Sequence, residues 1–475
     1  MSEAILTTHG ANEPISIAII GAGIIGTVLA LGLTRRKDAL ALPVRVRVYE
    51  QSATLHAPGA GIAFTANARK CLSLIDPVLE RCATAVGTVN GEDPARPNNF
   101  MQFVDGYTHR PGDVEVGQDL VGKKVYRLHA GNRGFEGCHR QDFLGGVLEQ
   151  LPDGVVMLGK KLEGYSVPEW GKEKEGKIQM MFGDGSRAEA DLVIGTDGLK
   201  SRVRQLLFGI DNPISYPHYT HKIAYRALIP MPLAISRLGK SLALNQHMYG
   251  GPNAHLLTFP VAKQRLMNVV AFVSDPDEWP LQKSMTQPAR KEEIVDAFRS
   301  WGPTVREIID LLGEVDSEWI DKWAVFDHFE YPAPYYASFT PGKGKNKGNG
   351  LICVAGDAAH ASSPHHGAGA GIGVEDALAL VTVIERAIGE IHCGKRTKED
   401  ALGAALNAYS DVRYERSQWL VRSSREVCST YEWMNPDIGG DLEKGFEDVK
   451  ARSHRIWDFD IDGMLAELGR VYESC

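Results

Sequence analysis

ISIAIIGAGIIGTVLALGLTRRKDALALPVRVRVYE, Ile15 to Glu50, opens a parallel α/β sheet. Ile15 to Ile20 is an unbroken apolar run, which reads as a strand buried on both faces. Ile24 to Arg35 continues with helical spacing, and Val44 to Glu50 alternates as a second strand, so the stretch predicts a βαβ start. Gly21, Gly23 and Gly26 stand between the first strand and the helix as GxGxxG. In that context Gly21 permits the tight turn, Gly23 lets a pyrophosphate approach the backbone, and Gly26 allows helix and strand to pack closely. The helix amino end then offers unpaired N–H groups and a partial positive charge to phosphate. Glu50, 24 positions beyond Gly26, is placed to accept from a ribose diol and disfavours a 2′-phosphate. Turn and carboxylate together define a dinucleotide site, without deciding between FAD and NAD.

Outside this stretch the chain has room for two or three domains in its 475 residues, with 43% hydrophobic and 24% charged residues, as in soluble globular proteins. A net charge of -8 supplies no basic field, which argues against nucleic acid and anionic lipid surfaces as partners. Seven cysteines, an odd number with no CxxC pair, favour a reducing compartment and a cytoplasmic location. The apolar run from Ile15 to Leu33 has glycines at turn spacing and no cationic segment before it, so neither a signal peptide nor an integral membrane segment is expected. The residues before Ile15 read as a short disordered arm.

Val86 to Asp119 is rich in Pro, Gly, Asn and charge and predicts irregular loop with at most a hairpin. Arg140 to Leu151 reads as helix. Val155 to Ile194, with IQMMF, the turn GDGS and ADLVIG, predicts a small antiparallel meander returning to the parallel sheet. From Ile214 to Trp323 alternation resumes in AYRALIP, AHLLTFPV and LMNVVAFV, the pattern of a second, antiparallel domain. Gly342 to Gly350 is a basic glycine-rich loop, after which LICVAG restores the first domain's character. Glu375 to Ile391 and Ala401 to Glu432 have helical periodicity, and the tail beyond Trp433 is unassigned. The fold class is therefore α/β: a discontinuous, Rossmann-like parallel-sheet dinucleotide-binding domain (1–205 and 345–400), an antiparallel-sheet substrate domain (206–344) and a C-terminal helical segment (401–475).

Two later segments separate FAD from NAD. In DLVIGTDGLKSRVR a buried strand ends at Gly195, Asp197 and Gly198. In LICVAGDAAHASSPHHGAGAGIGVEDA a strand ends at Gly356 and Asp357, and glycines at 367, 369, 371 and 373 bare backbone amides just before a helix, a cradle for an anion or electron-rich ring. The ordered set, GAGIIG with Glu50, then GTDGLKSRVR, then GDAAHASSPHHGAGAG, resembles the single-component flavin aromatic hydroxylases over about residues 15 to 430.

The resemblance implies that Asp357 holds the ribityl chain and that Pro364 lies near the flavin's reactive carbon. It implies that Gly369, Ala370 and Gly371 offer amides to the pyrimidine edge, and that Arg140 reaches the FAD from a helix start. Asp197 would touch the pyrophosphate and the nicotinamide donor, and Gly59 and Gly61 would lie beside the isoalloxazine. Ala368 and Gly371 depart from the family's glutamine and asparagine, and His365 and His366 from its aromatic residue and arginine. A metal on His360, His365, His366 and Asp357 is not expected.

No second Rossmann fingerprint holds a nicotinamide, so reduction by NADPH or NADH is expected to be transient. The resemblance implies that O₂ then forms a flavin hydroperoxide that attacks a phenolic substrate. Arg226, on AYRALIP, is the candidate to stabilise phenolate, since a permanent cation lowers a phenol's pKa. Tyr126 and Phe259 are candidates to orient the ring, and His129 is a candidate base. The chain also resembles fungal enzymes that dearomatise resorcinol carbaldehydes in polyketide pathways. A salicylate-type decarboxylating hydroxylase and a non-catalytic flavin sensor remain alternatives, and oligomeric state is not legible.

Overall fold

The computed structural model describes residues 13–40, 44–55, 61–130, 136–168, 176–280, 284–315, 319–337 and 351–475. The arm through Asn12, Gly59 and the Gly342–Gly350 loop lie outside the described residues.

The parallel sheet has five strands in the order Ile352–Val354, Leu192–Gly195, Ile15–Ile20, Val44–Tyr49 and Val156–Met157. Ile15–Ile20 is central and buried at every residue, as its unbroken apolar run requires, whereas Val44–Tyr49 alternates. The helix Ile24–Leu40 follows the glycine turn and packs against Gly369–His392, which also meets Ala66–Ile75 and Lys398–Tyr431. The meander takes the expected place, with Leu162–Ser166, Ile178–Phe182 and Arg187–Ala190 antiparallel before Leu192–Gly195 rejoins the parallel sheet. All seven cysteines are free.

The second sheet has eight strands: Thr286–Arg290, Trp319–Asp327, His218–Pro230, Leu266–Ser274, Ala254–Val261, His247–Gly251, Phe100–Asp105 and Tyr126–His129. Neighbours are antiparallel except His247–Gly251 with Phe100–Asp105. This differs from the expected division of the chain, because residues 100–105 and 126–129 leave the nucleotide-binding part to extend the other sheet. Phe100–Asp105 is one short strand between Pro- and Gly-rich segments, and its parallel partner lies far along the chain, so no local hairpin signal marks it.

Strand register sorts this sheet's side chains. Arg226 stands opposite Val270, and Val270 opposite Leu257; Ala224 stands opposite Phe272 and Trp323, and Phe259 opposite Asn268. Period-two alternation puts all of these on one face. The other face carries Tyr225, Leu256, Val269 and Ala271 and packs on the helix Pro303–Val315. The unassigned tail forms two helices, Leu442–Trp457 and Ile461–Ser474. The first lays Phe446 and Val449 on Phe103 and Leu128, closing the far end of the sheet.

A buried ionic cluster joins the C-terminal helices to the loop after Ile352–Val354. Arg413 pairs with Glu375 at 2.7 Å and with Asp376 at 2.9 Å, and all three are fully buried. Asp376 also accepts from the Gly356 amide at 3.0 Å and contacts His360 Nε2 at 2.5 Å. Burial alone would raise the Asp376 carboxyl, but His360, Arg413 and the amide outweigh it and hold it below its ordinary value. Its stabilisation is therefore present above the unfolded value of about 3.9 and lost as pH falls below it. Arg413→Met leaves two buried carboxylates short of a cation and is expected to cost about 3–5 kcal/mol in a urea titration at neutral pH. A loss within about 1 kcal/mol, as for exposed pairs, would show that the cluster does not hold this loop.

Candidate active site

The glycine turn has the geometry its residues demand. Gly21 has φ +102°, and a Cβ there would lie 2.7 Å from the Thr196 carbonyl oxygen. A Cβ on Gly26 would lie 2.0 Å from the Gly21 oxygen, so helix and strand touch there through bare backbone. At Gly23 a Cβ would meet only the Arg140 guanidinium, at 3.8 Å, leaving the backbone open to a ligand. Glu50 Oε2 accepts from the Ala22 amide at 2.8 Å and Oε1 from the Ser52 amide at 2.8 Å. Its carboxylate thus braces the turn while lining the adjoining chamber.

That chamber, about 750 Å³, is walled by Gly21, Gly23, Glu50, Arg140, Asp197 and Arg202 among others. A second chamber of about 510 Å³ adjoins it, and Gly23, Arg140, Thr196 and Gly198 line both. The parallel-sheet side contributes Asp357, Pro364, Gly369 and Ala370 to the second chamber, and the short strand Gly61–Phe64 contributes Gly61. The antiparallel sheet contributes Arg226, Leu257, Phe259, Val270, Phe272 and Trp323. The result is a long, two-part cavity between the sheets.

Asp357 lies 4.0 Å from where a Gly369 Cβ would stand and is accessible because it faces the chamber. The protein around that chamber still desolvates it, raising its carboxyl, with His360 and Arg140 pulling the other way. Phe259 fits because Gly61 and Gly137 lack side chains; a Cβ on Gly137 would lie 2.8 Å from the ring. Arg226 carries the chamber's unusual electrostatics. Its Nε is buried without a hydrogen-bond partner, and its guanidinium lies 5.0 Å from the Trp323 ring centroid. Burial lowers its pKa to about 10, which leaves it cationic at neutral pH.

Several expected placements differ. Tyr126 does not line the chamber: it stacks on Phe446 at 4.9 Å, with its hydroxyl 3.4 Å from Glu443, because Leu442–Trp457 covers that end of the sheet. His129, on the same edge strand, is exposed, and its ring meets Phe100 at 5.1 Å. Asp197 lines the first chamber, but its carboxylate accepts from Ser201 Oγ at 2.5 Å and from the amides of Arg202 and Val203, capping the helix Arg202–Phe208. Gly371 falls within the first turn of Gly369–His392, where a Cβ would lie 3.3 Å from Ala68, and is not on the chamber wall. The three histidines diverge, His360 to Asp376, His365 to His255 and His366 to Ser423, so they do not converge on one ion with Asp357.

Trp323, Phe272, Val270 and Leu257 were not expected at the site. LMNVVAFV and AHLLTFPV are buried on both faces, so their pattern does not tell which side meets the chamber.

Comparison with known proteins identifies the class. Residues 345–424 match the family described as FAD binding domain. The chain is 44% identical over 461 residues to the FAD-dependent monooxygenase pigN of Monascus ruber, covering 97% of each. It is 40% identical to the salicylate hydroxylase asL1 of Sarocladium schorii, over 97% of this chain and 92% of that one. A solved salicylate hydroxylase substrate complex superimposes with a TM-score of 0.75 at 28% identity, over 96% of this chain and 98% of that one. The chain belongs to the single-component FAD-dependent aromatic monooxygenases. Such enzymes use FAD, NAD(P)H and O₂. The bare backbone at Gly23, the arginine bridging both chambers and their combined length fit an extended dinucleotide. No helix among the described residues is long and apolar enough to cross a membrane.

Proposed function

We propose that this enzyme hydroxylates a phenol at the carbon next to its hydroxyl, and that its substrate is a substituted resorcinol carbaldehyde. When the attacked carbon bears a methyl group, the ring has no hydrogen to lose there and the product is a dearomatised hydroxy dienone. The observation carrying this reading is Arg226, a half-buried cation whose Nε is fully enclosed and which has no carboxylate partner among the described residues, on the wall of an otherwise largely apolar chamber. A desolvated cation favours the charged form of a bound phenol, and phenolate is the electron-rich state that hydroxylation needs.

In this reading Gly21, Gly23, Gly26 and Glu50 hold the adenosine half of FAD, Arg140 its pyrophosphate and Asp357 its ribityl chain. Gly61, Pro364, Gly369 and Ala370 bracket the ring system. Bound FAD would pass electrons taken from NAD(P)H to O₂, which supplies the oxygen atom that is transferred. The chain's own task is to orient the phenol on Arg226, press its ring between Phe259, Phe272 and Trp323, and exclude water. A second reading, decarboxylating hydroxylation of a salicylate with Arg226 on the carboxylate, draws on the likeness to the salicylate hydroxylase complex.

NADPH oxidation measured with 3-methylorcinaldehyde and with salicylate separates the two. Faster oxidation coupled to product with the aldehyde supports dearomatisation, and a preference for salicylate with CO₂ release supports the second reading. Failure of both to stimulate oxidation would contradict a phenol hydroxylase.

A further inference from the structure

Beside Phe272, where the chamber wall ends, three parts of the chain meet in a buried polar file. His255 comes from the strand Ala254–Val261, His365 from the turn Pro364–His366, and Glu432 caps the helix Lys398–Tyr431. His255 Nδ1 lies 3.0 Å from Glu432 Oε1, and His255 Nε2 lies 3.3 Å from His365 Nδ1. Lys222 pairs with the other oxygen of Glu432 and donates to Ser274 Oγ, an exposed residue, at 2.7 Å. His255 stacks on Phe272 at 4.6 Å and His365 packs against it at 4.8 Å. Phe272 and Pro364, the neighbour of His365, both line the chamber.

The hydrogens in this file are fixed by its far end. Burial would raise Glu432, but His255 and Lys222 outweigh it and keep the carboxyl below its ordinary range, so it is ionised and accepts only. His255 must then carry its proton on Nδ1 and present a lone pair at Nε2. His365 in turn donates from Nδ1, which leaves His365 Nε2 as an acceptor. Burial lowers both histidines, so the file holds no extra proton at neutral pH. The other groups facing it are Cys428, Tyr431 and Arg425 on the helix and His366 on the turn. Burial pushes the Cys428 thiol and the Tyr431 phenol up, so both stay protonated, and Arg425 is engaged with Asp327 at 2.6 Å. Cys428 Sγ donates to Glu432 at 3.4 Å, so with both histidines it is committed to hydrogen bonds rather than to a cation.

We propose that His365, His255 and Glu432 form the relay that takes the proton from the substrate phenol. The inference rests on the phenolic substrate proposed above. The phenol O–H bond breaks, its electron pair stays on the oxygen opposite Arg226, and the proton binds His365 Nε2. His365 passes its Nδ1 proton to His255 Nε2, and His255 passes its own Nδ1 proton to Glu432. The negative charge has then moved from Glu432 to the phenolate, with no change in oxidation state. The exposed Lys222–Ser274 edge is the outlet to solvent.

Glu432→Gln and His365→Gln test this, each with its FAD content read from the visible spectrum and its hydroxylation of 3-methylorcinaldehyde and of salicylate followed across pH. Each variant is expected to lose at least about tenfold at about pH 7 and to recover to within about twofold by about pH 9, where the phenol ionises unaided. An equal loss at every pH, the mark of a purely structural role, or no loss, would overturn the relay. If Glu432→Gln does not retain FAD, His365→Gln decides. Wild-type turnover of neither compound overturns the phenol reading and the relay with it, whereas wild-type turnover with unshifted variant profiles overturns the relay alone.

Discussion

Arg226→Ala is expected to cut product formation at least about 100-fold while the protein stays yellow with bound FAD. The guanidinium lies on the antiparallel sheet and lines the second chamber but not the first. Its removal should therefore spare the cofactor and strike the substrate. Two effects combine in the loss. The chamber is left with Leu257, Phe259, Val270 and Phe272 and no cation from its sheet wall, so a bound phenol keeps its proton. The Trp323 ring also loses the plane stacked over it. Arg226→Lys should recover only part of the activity, since an ammonium keeps the charge without the planar fork and its ring stacking. NADPH oxidation that continues in Arg226→Ala should appear as H₂O₂. Retention of wild-type product yield would remove Arg226 from the reaction.

Gly26→Ala is expected to abolish FAD binding. The new Cβ would be placed 2.0 Å from the Gly21 carbonyl oxygen and 2.6 Å from Thr196 Oγ1, and the first of these is backbone that cannot turn aside. Helix and turn must separate, and with them the amides that meet phosphate. Overpacking of this severity costs at least about 3 kcal/mol, more than about a hundredfold in affinity if all of it falls on the cofactor site. Flavin fluorescence released on denaturing the purified variant reads the outcome directly, and a full complement of FAD would show that this contact does not shape the site. Gly23 offers the contrast, because a Cβ there would meet only a flexible arginine tip, at 3.8 Å; a substitution there should weaken FAD by crowding the ligand, with the fold left intact.

What was legible in the sequence was what short segments decide by themselves. Ile15 to Glu50 contains its strand, turn, helix and carboxylate in one stretch, and the structure pairs Ile15–Ile20 with Val44–Tyr49 as that stretch predicts. Asp357, Pro364 and Gly369 also sit in one loop, and the structure brings all three to the chamber. The opposite wall was harder to read because distant strands build it. Arg226 meets Val270 and Leu257 only through register, and both faces of those two strands are buried, so their pattern does not say which side meets the chamber. Tyr126 shows the converse failure. The helix that covers its ring, Leu442–Trp457, lies in a tail whose pattern gave no assignment, so nothing near Tyr126 told that it faces away from the chamber. Glu432 and His255 stand 177 positions apart, so no local motif could have joined them.

The most direct test of the central claim is the mass of the product formed from 3-methylorcinaldehyde with NADPH under ¹⁸O₂. Dearomatising hydroxylation predicts a product carrying one ¹⁸O, with the aldehyde and all carbons retained and the ring no longer aromatic. A product without label, or one that has lost a carbon and kept its aromatic ring, would contradict it.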